Sequence, residues 1–154
     1  MRKLAVLMAL FTLLIGSSAF ALPLPLNFNG TVWQGTVTIQ TPGSGGASEQ
    51  AQIVITFENS DGANNDFISG TITAASGSTL PPGFPTEFSA VLGPFAASLV
   101  HMTATDAATT NPANAIIFGD AYKKGRLHTL GVHASILSGP LQGSSFFGFL
   151  HLQP

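Results

Sequence analysis

Four histidines are the residues best suited to chemistry in this chain: His101, His128, His133 and His151, all in its C-terminal half. Neutral imidazole ligates metals and acts as acid or base near neutral pH. If the last two strands form a hairpin with Ser138 opposite Ser144, His151 faces Gly131 and His133 faces Phe149. The two imidazoles are then diagonal neighbours on one face, about 7–8 Å apart at Cα. A turn at Lys124-Gly125, pairing Lys123 with Arg126, adds Phe118 to that face opposite Gly131. Asp120 is the nearest carboxylate. His133, His151 and Asp120 are therefore the candidate metal ligands, few for a structural site that lacks Cys. The bland alternative is an aromatic patch covering a bare glycine.

His128 falls on the opposite face, with Leu130, Val132, Ala134 and Ile136, and His101 shares a face with Phe95, Ala97 and Leu99. Trp33, the only Trp, suits either core packing or the wall of a ligand cavity. Trp33, His101, Tyr122 and His128 form the candidate ligand-binding set. Lys123-Lys124-Gly125-Arg126 reads as a solvated hairpin tip that discourages edge association. Asn29-Gly30-Thr31 is a formal glycosylation sequon. The chain has no G-x-S-x-G, no G-x-G-x-x-G and no phosphate loop, and no catalytic residue is assigned.

The elements that must position these groups are strands. Of 154 residues 8% are charged and 17 are Gly, against roughly 25% charged in an ordinary soluble domain. With no Cys, disulfides, thiolate metal sites and Cys nucleophiles are excluded. The charge balance gives no footprint for nucleic acid. Met1-Arg2-Lys3, the apolar Leu4 to Ile15 and the small residues Ala19 and Ala21 read as a secretory signal over residues 1–21. The expected address is secreted or periplasmic. A Pro-rich lead-in (residues 22–27) and one domain (28–154) follow. The mature chain keeps three basic residues against seven acidic ones, a net charge of −4. No later run is long enough for a transmembrane helix.

Period-2 alternation predicts strands at 29–40, 50–58 and 67–75; 95–104 reads as a strand apolar on both faces, and 114–122, 127–138 and 144–152 complete the set. Residues 86–93 fit either a two-turn helix or a short strand, and 76–85, with its prolines, reads as a lid or crossover. Gly35-Thr36-Val37-Thr38 and Gly70-Thr71-Ile72-Thr73 are alike, over a length that chance can supply. About eight sequential strands suggest a small up-and-down antiparallel β-barrel, with a two-sheet β-sandwich as the alternative. The architecture resembles that of lipocalins and avidins, secreted barrels with a Trp following a Gly on the first strand. In Gly30-Thr31-Val32-Trp33 the spacing is one residue longer than the lipocalin pattern, so no site residue carries over.

The leading functional expectation is a non-catalytic exported barrel, needing no cofactor, that binds a small apolar ligand or serves as a structural module, with self-association open. An outer-membrane barrel and a His-dependent barrel enzyme of isomerase or cyclase type are the alternatives.

Overall fold

The computed structural model describes residues 28–43, 48–61, 67–96, 99–106, 114–124 and 126–154. The signal and lead-in expectations (1–27) lie outside them. The protein is all-β, a single antiparallel up-and-down sheet curled around one apolar core. Its elements are β1 (Val32–Gln40), β2 (Ser48–Asp61), β3 (Phe67–Ala74), β4 (Glu87–Ala96), β5 (Leu99–Asp106), β6 (Ala115–Lys124), β7 (Leu127–Ile136) and β8 (Ser145–Leu152). Each pairs with its neighbour in sequence, and β8 also runs antiparallel to β1 from Trp33↔Leu152 to Gln40↔Ser145. One continuous ladder replaces the two facing sheets of a sandwich.

Alternation decides which side is core. Trp33, Val37 and Ile39 are buried while Thr36 and Gln40 are exposed. Ile53, Ile55 and Phe57 on β2, and Leu130, Val132, Ala134 and Ile136 on β7, point the same way. A one-residue slip would turn all of them to solvent, so burial pins the register.

The sheet bends where side chains are missing. A Cβ at Gly35 would overlap the Phe149 carbonyl oxygen, and one at Gly148 the Thr36 carbonyl oxygen. β1 and β8 therefore approach closely at two glycines on facing strands. Gly70 makes the same kind of approach to the Thr56 carbonyl, beside the register shift between Phe57 and Asn59 on β2. Glycine kinks and bulges are how sheets acquire strong curvature. Gly35 and Gly70, the leading residues of the two similar tetrapeptides, are both such positions.

Aromatic side chains fill the core towards both ends. Phe28 stacks on Trp33 at 5.9 Å and meets Phe57 edge-on at 5.3 Å. At the other end Phe84, in the 75–86 connection, lies 4.7 Å from Phe146. That connection joins the adjacent strands β3 and β4, so it is no crossover; Phe84 and Leu80 tie it to the core.

One open reading is decided and one expectation is corrected. Residues 87–93 belong to a strand, because Phe88 and Ala90 are buried and Ser89 and Val91 exposed, which is period 2 and not a helical stripe. The single strand expected over 95–104 is divided: 95–96 end β4, and β5 begins at Leu99. The apolar run hides the break because both of its faces look alike.

Candidate functional site

Cross-strand rows assemble the outward face. One row runs Val91, Thr103, Phe118, His133, Phe147, Thr38 and Gln50, each opposite the next. The neighbouring row brings Asp120, Gly131, Phe149, Thr36 and Gln52 into line. Large apolar side chains therefore stand exposed on the outer side of β6 and β8: Phe118 at 45%, Phe147 at 41% and Phe149 at 62%. The Phe149 ring leans over Gly131, where an added Cβ would sit 3.4 Å from its edge. This is the aromatic cover over a bare glycine, and it shields backbone that no side chain of Gly131 protects.

The expected pairings are off by two residues on both hairpins. Lys124 pairs with Leu127, so the β6–β7 connection is residues 125–126 and Phe118 faces His133, not Gly131. Ile136 N–H donates to the Ser144 carbonyl, and Gly143 N–H to Ile136, so the β7–β8 connection spans 137–143. Gly139 (φ 85°) and Gly143 (φ 80°) supply its left-handed turns. Moving a turn by one residue changes every partner by two and leaves every face unchanged. The faces therefore stay as expected and the neighbours change.

The metal geometry falls with that register. His133 lies opposite Phe147 and His151 opposite Thr129. The two imidazoles stand four residues apart along the sheet, about 13 Å, instead of on a diagonal. His151 Nδ1 instead meets the Thr129 hydroxyl at 3.4 Å, and Asp120 faces Gly131. Among the described residues no three His, Asp or Glu side chains gather to hold a metal.

The ligand-binding candidates fall on both sides of the sheet. Trp33 is 0% exposed, so it faces neither solvent nor a void large enough for water. Its Nε1–H donates to the Thr31 hydroxyl at 3.0 Å, and that hydroxyl donates to the Phe28 carbonyl at 2.6 Å. Tyr122 is half-buried and alternates outward with Phe118 and Asp120. His128 is half-buried near the β6–β7 hairpin, opposite Lys123. The His101 backbone pairs with Gly93 and Asp120, and its side chain lies outside the described ones.

Among the described residues, three adjoining hollows mark the outer face. One, of about 260 Å³, is walled by Phe118, Asp120, Tyr122, His133, Phe147 and Phe149. A second, of about 420 Å³, lies over the β1–β8 glycine contact, between Phe147, Phe149 and His151 on one side and Thr36, Thr38 and Gln50 on the other. The third, of about 470 Å³, continues past Thr36, Gln50 and Gln52 to Ser76 and Ser78. Nothing in the sequence singles out Thr36, Gln50, Gln52 and Phe147. Alternation turns them outward, but only the register sets them side by side.

No protein-family model, no curated protein and no solved structure matches this chain.

Proposed function

We propose that the protein is an exported, non-catalytic module: a small up-and-down barrel of eight strands, lipocalin- or avidin-like in architecture, that works through its outer surface. The observation that carries this reading is the filled interior. Trp33, Val37, Ile53, Phe57, Ile72, Phe146 and Leu150 are each 0% exposed. Around these described residues inward space is occupied by the protein's own side chains, as an eight-stranded barrel allows. This favours the structural-module form of the expectation over carriage of an apolar ligand inside. An outer-membrane barrel has its apolar residues outside and a polar interior. Here the inward face is apolar, and the outward face of β1 carries Gln34, Thr36, Thr38 and Gln40. A His-dependent reaction draws no support from side chains as separated as those of His133 and His151.

Cell fractionation combined with Trp33 fluorescence tests this. The processed protein should appear in periplasm or medium without detergent, and dodecanoate should leave Trp33 emission unchanged. Recovery only in outer membranes, or a saturable shift of the emission with dodecanoate, would overturn the reading.

A further inference from the structure

We propose that the outward face of β2, β1, β8, β7 and β6 is a furrow that binds a neutral oligosaccharide. This deepens the reading of a non-catalytic module that works through its outer surface, on which it rests, by naming its site and ligand class.

Adjacency is the first argument. Thr36 and Gln50 wall both the first and second of the polar-to-aromatic hollows, and Phe147 and Phe149 wall both the second and the last. The hollows therefore adjoin one another across five neighbouring strands, with Phe147 and Phe149 as the wall between the last two. At about 4.8 Å per strand they span roughly 19 Å, room for a short chain of linked rings.

Lining chemistry is the second. One half offers amides and hydroxyls: Gln50, Gln52, Thr36 and Ser78. The other offers Phe118, Phe147 and Phe149. A sugar ring has an apolar C–H face that lies on an aromatic ring and a rim of hydroxyls that both donate and accept. Amide and hydroxyl side chains also do both. Lys and Arg are absent from the residues walling the hollows, and Asp120 is their one carboxylate. A polyanion would find no Lys or Arg partner there.

Geometry disfavours a peptide as occupant. A peptide strand binds by pairing with a free sheet edge, and each of these five strands is already paired on both sides.

The test is calorimetric titration of the protein, purified from its full-length gene, with maltohexaose, cellohexaose, xylohexaose and chitohexaose. At least one should bind. Phe149→Ala and Gln50→Ala should each weaken that binding about tenfold, a loss of roughly 1.4 kcal/mol. Val91→Ala, exposed outside the furrow, should leave it within about twofold. Unchanged short-wavelength Trp33 emission shows that each variant is folded. Absence of binding by all four sugars at millimolar concentration overturns the proposal, as does binding that survives both furrow substitutions. A dimer in sedimentation that Phe149→Ala dissolves would assign the face to a second copy and overturn it too. None of these failures touches the filled-interior reading, which stands or falls on fractionation and the dodecanoate titration.

Discussion

Thr31 and Trp33 are joined by a 3.0 Å hydrogen bond from the indole N–H to the hydroxyl, just where the chain enters β1. The same hydroxyl donates to Phe28, whose ring stacks on the indole. One threonine thus satisfies the polar atom of the largest core residue and holds its aromatic cover. Thr31→Val should leave the buried N–H without a partner and cost about 1–3 kcal/mol. Urea unfolding of Thr31→Val beside Thr31→Ser measures this; equal losses in the two would show that the hydroxyl does not matter.

Trp33 itself should emit at short wavelength and resist acrylamide quenching. Trp33→Ala should lower stability by about 3–5 kcal/mol, the range for removing a large buried side chain. Thr36→Ala, on the exposed side of the same strand, should stay within about 0.5 kcal/mol. Chemical denaturation of both variants compares them directly.

Gly148 and Gly131 lie on neighbouring strands and should respond oppositely to alanine. At Gly148 the new methyl meets backbone of β1 that has nowhere to go, and Gly148→Ala should prevent folding or lower the melting temperature sharply. At Gly131 it meets only the edge of Phe149, and Gly131→Ala should be near neutral. Circular dichroism melts of the pair decide whether the β1–β8 approach is as tight as described.

Ser144 is 1% exposed and its Oγ has no hydrogen-bond partner. A buried hydroxyl without a partner opposes folding. Ser144→Ala should therefore leave stability unchanged or raise it by up to about 1 kcal/mol, read as the urea midpoint. A clear loss would mean that the hydroxyl has a partner in solution.

Much of this architecture is legible in the sequence because alternation is strong. In β1 the residues 33, 37 and 39 are apolar and 34, 36, 38 and 40 are polar, and that pattern alone assigns the two faces. Partners are another matter. Whether Phe118 faces Gly131 or His133 depends on which two residues of Lys123-Lys124-Gly125-Arg126 make the turn, and both choices satisfy alternation. The β7–β8 connection is harder still, since Gly139 and Gly143 open a longer loop than Ser138 opposite Ser144 implies. Thr31 carries no sequence signal because its role is a contact with Trp33 and Phe28 that no periodicity announces. The outer hollows carry none because they belong to pairs of strands.

The ladder between β1 and β8 is the one pairing that joins the two halves of the chain, from Trp33 with Leu152 to Gln40 with Ser145, completed by Gln153 N–H on the Val32 carbonyl. Every other ladder forms between sequence neighbours, so its loop-closure entropy is small; this one must close over roughly a hundred residues. It is therefore the contact of highest sequence separation and the natural last step of assembly. The order of strands along the chain is then partly a matter of convenience. A circular permutant that links residue 154 to residue 28 through a short flexible spacer and opens at 125–126 would keep every register. It would turn the β1–β8 ladder into a hairpin and make β6–β7 the ladder of highest sequence separation, so the last step of assembly should move to β6–β7 while the same curled sheet forms.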